Sequence, residues 1–228
     1  MGREERLVHV TLLTVEGRED YLRQTIESWY AAAAATAAGF SPGFNTLRDT
    51  EHWGIDLAGR AAIETALEYA EFGIVAFDDC LVSRDILDYF RWASEEFRDD
   101  PHVASVGGWR PGGYDLTPDT YYEVQEDHWF RAGVWGTWRH KWETMLAPTY
   151  PKENADIWYT DTLYPQNGWV EVRPTWSRVQ TIGAYGVHMR PEMLEAHTAR
   201  PWAGDLDAPR SFPNWHMKGE AKWNVTPE

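Results

Sequence analysis

Phe72-Gly73-Ile74-Val75-Ala76-Phe77-Asp78-Asp79 runs six apolar or small residues straight into two adjacent carboxylates. A short unbroken apolar run is the pattern of a strand covered on both faces in a parallel sheet. Two neighbouring carboxylates at the end of such a strand are not both buried bare, because a single unpaired buried charge is already very costly. A divalent cation resolves the conflict, and hard oxygen ligands suit Mg2+ or Mn2+. Successive side chains of a strand point oppositely, so one Asp can reach a metal while the other orients a ligand. The plainer alternative is a solvated loop or a helix cap. A helix over Arg84–Phe97 follows directly, with Ser83 placed to cap it and Ile86, Leu87, Phe90 and Trp92 among its apolar positions.

Upstream, Leu7–Thr14 is a second near-continuous, β-branched run and reads as a strand. It ends in the turn Val15-Glu16-Gly17-Arg18. Glu19–Ala38 then has helical composition, with Leu22, Ile26 and Trp29 at helical spacing. Gly39–Trp53 carries Gly39, Pro42, Gly43 and Asn45 and reads as loop. Gly59–Glu71 returns to helix, with Ala62, Ile63, Ala66, Leu67 and Ala70 on one stripe. Downstream, Val103–Val106 reads as a short strand closed by Gly107-Gly108-Trp109. Residues 110–135 look irregular. Gly136–Leu146, with Trp138 and Trp142, and Asp156–Tyr164 read as short helices. Gly168–Pro174 alternates as a strand does, and Val179–Gly183 suggests one more. Alternating strands and helices predict an α/β fold with a mostly parallel sheet flanked by helices. Residues 1–190 form the expected domain, and 191–228 an extended segment packed on it. Ligands of such sheets bind at the carboxyl ends of strands. Two places qualify: the turn at Val15–Arg18, and Asp78-Asp79.

Composition narrows the function. Of 228 residues 43% are apolar, enough for a core. Lys plus Arg number 21 against 36 Asp plus Glu, a net charge of −15. That balance disfavours general nucleic-acid or anionic-membrane binding, which needs a positive footprint. The single cysteine, Cys80, excludes a disulfide framework and a Cys-based zinc site. With no signal-peptide pattern and no apolar run near the ~20 residues of a membrane span, the expected setting is a reducing one, the cytoplasm. The 14 Trp are many, and several sit in Gly- and Pro-rich segments. They serve either as platforms for sugars or bases or as core filler. No Walker loop, His-Glu-x-x-His helix or Gly-x-Ser-x-Gly elbow occurs.

Phe77-Asp78-Asp79-Cys80-Leu81-Val82-Ser83-Arg84-Asp85-Ile86-Leu87-Asp88-Tyr89-Phe90 resembles the Glu-Asp-Asp segment of GT-A-fold glycosyltransferases, most of all the N-acetylglucosaminyltransferase I family and its bacterial and phage-type relatives. Further likenesses follow in order: Ser105–Trp109, Gly133–Trp142, Tyr150-Pro151-Lys152 to Asp156-Ile157-Trp158, Arg173-Pro174-Thr175-Trp176-Ser177-Arg178 and Thr181–His188. The resemblance spans residues 72–188. It implies a GT-A-like, Rossmann-like fold. It further implies a metal-dependent, inverting hexosyl- or N-acetylhexosaminyltransferase using a nucleotide-diphosphate sugar, foremost a UDP-sugar.

Carried over residue by residue, Asp79 coordinates Mn2+ or Mg2+ and Asp78 contacts the nucleotide side. Thr14, Arg18, Asp56 and Arg60 also belong to the donor. His188 is a metal or diphosphate contact, and Gly183 and Gly186 before it allow close backbone approach to a ligand. Trp135 stacks on the sugar or acceptor, or closes the core. An inverting transfer needs a carboxylate base at the acceptor hydroxyl. Asp156 is preferred and Asp161, one turn on, is the second candidate; ungapped matching leaves Ile157 at the usual base position. The acceptor is a glycan, a protein, a small molecule or a modified nucleobase. Two departures stand out. The stretch before His52 is short, as if the nucleotide-binding half were trimmed, and Phe77 stands where the acidic triplet begins with Glu. A catalytically inactive nucleotide- or carbohydrate-binding module of the same fold is the alternative, and a nucleotidyltransferase a more distant one.

Overall fold

The computed structural model describes residues 6–36, 42–51, 53–110, 116–184, 191–198, 201–205 and 215–218. The chain begins with β1 (Arg6–Val15), α1 (Glu19–Ala35), β2 (Gly43–Asp49), α2 (Ile55–Tyr69) and β3 (Ala70–Phe77). It continues through β4 (Cys80–Val82), α3 (Ile86–Glu96), β5 (Val103–Gly107), β6 (Glu123–Asp127) and β7 (Val134–Trp138). A helical stretch follows, with α4 (Arg139–Lys141), α5 (Ala155–Trp158) and α6 (Tyr164–Asn167) joined by π and 3-10 turns. Then come β8 (Val170–Pro174), β9 (Val179–Thr181), α7 (Pro191–Thr198) and β10 (His216–Met217).

Among the described residues eight strands form one sheet in the order β10-β6-β8-β5-β7-β3-β1-β2, and β4 pairs with β9. Strands β1, β2 and β3 are parallel, as are β5 and β8. β7 runs antiparallel between β3 and β5. The expected α/β architecture is present: a mixed, mostly parallel sheet flanked by helices.

Side-chain alternation along the strands divides the core into two layers. Phe72, Ile74 and Ala76 of β3 join Val8, Val10 and Leu12 of β1 beneath Trp29 of α1 and Phe90 of α3. Val75 and Leu13 point the other way, toward Ala62 and Ile63 of α2 and toward Trp142, Tyr159 and Tyr164. α2 lies close because four of its six buried residues are small: Ala58, Gly59, Ala62 and Ala66. Gly73 completes the fit, since a Cβ there would sit 3.0 Å from both Ala66 and Leu67.

Three segments depart from the sequence expectation. β2 lies inside Gly39–Trp53, which reads as loop. It is an edge strand, so its outer residues are polar and the period-2 signal is weak. It supplies the strand of a β-α-β-α-β half, so the segment is short without lacking its strand. β6 lies in the stretch that looks irregular. Residues 134–138 form β7 rather than part of a helix, and the helix starts at Arg139. In β7, Trp135 and Trp138 are an odd number apart and so enter opposite core layers. Near the C-terminus, β10 adds to β6, and Trp215 packs against Tyr89 and Tyr122. Among the described residues no helix is long and apolar enough to cross a membrane.

Candidate active site

β1 and β3 run in register with Leu13 opposite Phe77, so Thr14 and Asp78 emerge at the same end of the sheet. Thr14 Oγ1 donates to Asp78 Oδ2 at 2.6 Å. Arg18, at the start of α1, sets Nε 2.8 and 3.0 Å from the two Asp78 oxygens and Nη2 2.6 Å from Asp79 Oδ2. Thr25 Oγ1 donates to the Asp78 carbonyl at 2.7 Å, fixing the backbone that carries the pair. Asp78 is 4% exposed. Burial lifts its carboxyl above the ordinary aspartate range, opposed by the bonds from Thr14 and Arg18.

Asp79 faces outward more, its side chain 19% exposed. Its carbonyl accepts from Ile182 N at 2.8 Å, tying β3 to the end of β9. A Cβ on Gly183 would collide with the Asp79 carboxylate, so any side chain there would displace that carboxylate. The close approach expected of Gly183 is thus made to Asp79. Tyr21 closes the same corner: its hydroxyl accepts from Ala184 N at 3.2 Å, and its ring lies under Arg18 at 4.9 Å. Cys80 Sγ sits 3.7 Å from Asp79 Oδ1, and burial drives its thiol well above the usual range, Asp79 adding to the effect. Tyr21 and Thr25 were not singled out in the sequence. Tyr21 follows Arg18 by three residues and Thr25 follows Tyr21 by four, which sets all three along one helix face and was the available signal.

Thr14, Arg18, Asp78 and Asp79 are therefore brought together. Asp56 and Arg60 gather elsewhere. Asp56 accepts from Asn154 N at 2.8 Å and Ala155 N at 3.0 Å, capping α5 from a distance. Arg60 pairs with Glu64 at 2.9 Å and lies 5.8 Å from the Tyr150 ring. Both groups bond within the protein around Tyr150, beside the helix that holds Asp156. The Asp156 side chain and His188 lie outside the described residues. Asp161 is exposed on the π-turn Tyr159–Leu163. Trp135 takes the second of its two expected places, the core: it is 2% exposed, edge-on to Phe130 at 4.8 Å.

The Arg173–Arg178 motif is also internal. Arg173 pairs with Glu171 at 2.7 Å and Asp127 at 3.2 Å. Arg178 pairs with Asp85 at 3.2 Å and stacks on Tyr121 at 4.1 Å. These buried pairs brace the turn from β8 to β9 behind Gly183.

Among the described residues no cluster of three His, Cys, Asp or Glu could hold a metal. The donor set is the two carboxylates. That fits Mg2+ or Mn2+ ligated in large part by phosphate oxygens and water, as opposed to an all-protein cage.

No protein-family model matches the chain, and no curated protein matches it. Solved structures do. The catalytic domain of Drosophila beta1,4-galactosyltransferase 7 in complex with xylobiose is similar over 86% of this chain and 83% of its own, at 15% identity and a TM-score of 0.51. A mutant of that enzyme in complex with manganese, UDP-Gal and xylobiose covers the same shares at 14% identity and a TM-score of 0.49. A glycosyltransferase involved in glycosylation of the major capsid of PBCV-1 matches over 82% of this chain and 98% of its own, at 12% identity and 0.43. The chain has the fold of a GT-A-type glycosyltransferase catalytic domain.

Proposed function

We propose that this chain is a metal-dependent, inverting glycosyltransferase that moves a hexosyl or N-acetylhexosaminyl group from a nucleotide-diphosphate sugar, foremost a UDP-sugar, to an acceptor hydroxyl. Residues 1–190 are the catalytic domain, with 191–228 packed on it. The observation that carries the reading is the Asp78–Asp79 pair, gripped by Thr14 and Arg18 at the carboxyl end of β3. Charged side chains gathered at a strand end of an open α/β sheet mark a ligand site. The sequence likeness over residues 72–188 points to the same activity.

Asp79 holds the cation, joined by His188, and Asp78 orients the nucleotide side. When bound, Mn2+ or Mg2+ neutralises the diphosphate and the charge that develops on the leaving nucleoside diphosphate. Arg18 supplies a second positive group next to that position. Asp156, and after it Asp161, takes the proton of the acceptor hydroxyl. Asp56 is a positioning residue for that step, because its carboxylate caps the helix on which Asp156 lies. The buried lone cysteine fits a reducing, cytoplasmic setting. The acceptor is a glycan, a protein, a small molecule or a modified nucleobase.

One observation favours the second reading, a binding module without turnover: Arg18 bonds to both carboxylates and so occupies oxygens that a cation would use. Donor hydrolysis in Mn2+ separates the two, since a module binds the donor and leaves it intact. The primary test is calorimetry with Mn2+ and a panel of nucleotide sugars. One donor should bind much more tightly with Mn2+ than without it, and Asp79→Ala should abolish that gain. Binding that persists unchanged in Asp79→Ala removes the metal assignment.

A further inference from the structure

Arg131 differs from most of the described arginines. Arg18, Arg23, Arg48, Arg60, Arg91, Arg139, Arg173 and Arg178 each pair with a carboxylate. In a chain with 36 acidic residues such pairing is the ordinary outcome. Arg131 forms no ion pair or hydrogen bond among the described residues, and its buried Nε has no acceptor. Its guanidinium lies against two indoles instead, 5.5 Å from the Trp109 ring centre and 5.2 Å from that of Trp129. Trp129 is 52% exposed, so one wall of this cradle opens to solvent.

The cradle is fixed and stands beside the acidic pair. Phe130, 2% exposed, anchors the segment from inside. Its N–H donates to Thr160 Oγ1 at 3.1 Å, and its carbonyl accepts from the same hydroxyl at 3.2 Å. Trp129 N donates to Asp127 Oδ1 at 3.0 Å. Two residues beyond Arg131, the Gly133 carbonyl accepts from Phe77 N at 3.0 Å, directly before Asp78. Gly108 N, next to Trp109, donates to the Val134 carbonyl at 2.9 Å. Arg131 and both rings are thus held at the same end of the sheet as Thr14, Arg18, Asp78 and Asp79.

An indole face accepts the apolar face of a sugar ring. A guanidinium with unused donors, half-shielded by rings, binds a carboxylate or phosphate through charge-assisted, often bidentate bonds. We propose that Trp109, Arg131 and Trp129 form an acceptor subsite for a sugar bearing an anionic group, a carboxylate or a phosphate. The assignment rests on the transfer reading above for the word acceptor and on the cradle alone for the binding.

Calorimetry on the full chain without donor tests it, with methyl β-D-glucuronide, glucose 6-phosphate and methyl β-D-glucoside as probes. At least one charged sugar should bind saturably and about tenfold or more tighter than the neutral one. Which of the two charged sugars binds distinguishes carboxylate from phosphate. Arg131→Met keeps the stem against the rings and should lose that preference; Arg131→Lys should retain part of it. If Arg131→Met fails to fold, Trp129→Ala, at an exposed ring, should weaken all sugar binding while the melting temperature holds. Equal affinity for charged and neutral sugars, or an unchanged preference in Arg131→Met, overturns the subsite. Asp79→Ala should leave charged-sugar binding intact. A donor panel without any Mn2+-dependent binding would therefore remove the transfer reading and leave the subsite standing.

Discussion

Arg18 decides the state of the site at the level of single residues. It bonds to two carboxylates and offsets one of their two charges, and its own side chain is 20% exposed. Removing one partner of a largely buried pair leaves the remaining charges uncompensated, which costs more than the pair contributes. Arg18→Gln keeps a hydrogen-bond donor and removes the charge, so Asp78 and Asp79 repel each other at close range. Stability in EDTA should fall by about 2 kcal/mol after allowance for the partial exposure. Mn2+ should restore more of the melting temperature in Arg18→Gln than it adds to the parent. Equal melting temperatures in EDTA would mean that Arg18 does not hold the pair. Thr14, Arg18, Asp78 and Asp79 were legible in the sequence because an apolar run that stops at charge marks a strand end, and strand ends of α/β sheets gather. Trp135 was not, since an indole in a Gly-rich stretch looks alike whether it faces ligand or core. Arg131 was not, because the absence of a partner is a property of space and leaves no mark in sequence.

At the scale of elements, α3 and the strand after it are joined by a buried ammonium. Lys141, 3% exposed, donates to the carbonyls of Phe97, Asp100 and Val103 at 2.7–2.8 Å and lies 3.9 Å from the Trp138 ring centre. It thereby satisfies carbonyls around the C-terminal end of α3 and the start of β5. Lys141→Met should cost about 2–4 kcal/mol by leaving those acceptors unmet. Burial pulls the ammonium down to about 8 from 10.5. A folded value below the unfolded one means that this group's contribution is complete above 10.5 and is lost as pH falls through about 8. The melting-temperature gap between parent and Lys141→Met should therefore widen from pH 7 to pH 10.5, and a gap independent of pH would contradict the burial argument. Trp135→Ala belongs to this scale too. It opens a core cavity between Phe130 and Trp142 and should cost about 3–5 kcal/mol in chemical denaturation. A loss of sugar binding at unchanged stability would return that ring to the site. Elements covered on both faces, β1 and β3, were legible because burial imposes a continuous apolar run. β2 and β6 were obscured by edge polarity and acidic residues, and β7 by Trp138 and Trp142, whose spacing of four mimics a helix stripe across a strand-to-helix junction.

The whole molecule carries a net charge of −15, and its proposed ligands carry charge as well. The field of that charge reaches about 30 Å at 0.01 M salt and about 8 Å at 0.15 M. It repels a free nucleoside diphosphate at long range, while Arg18 attracts it only at contact, where salt screens less. It attracts Mn2+ at every distance. The two ligands should therefore respond to salt with opposite sign. Between 10 and 150 mM KCl, association of UDP without metal, followed by stopped-flow tryptophan fluorescence, should speed up by about two- to tenfold. Over the same range Mn2+ affinity, read from the free-ion signal in electron paramagnetic resonance, should weaken. A UDP association rate that falls with salt would mean that the local field of Arg18 and Arg131 outweighs the net charge at the mouth. A Mn2+ affinity indifferent to salt would mean that the acidic surface lies too far from Asp79 to be felt there.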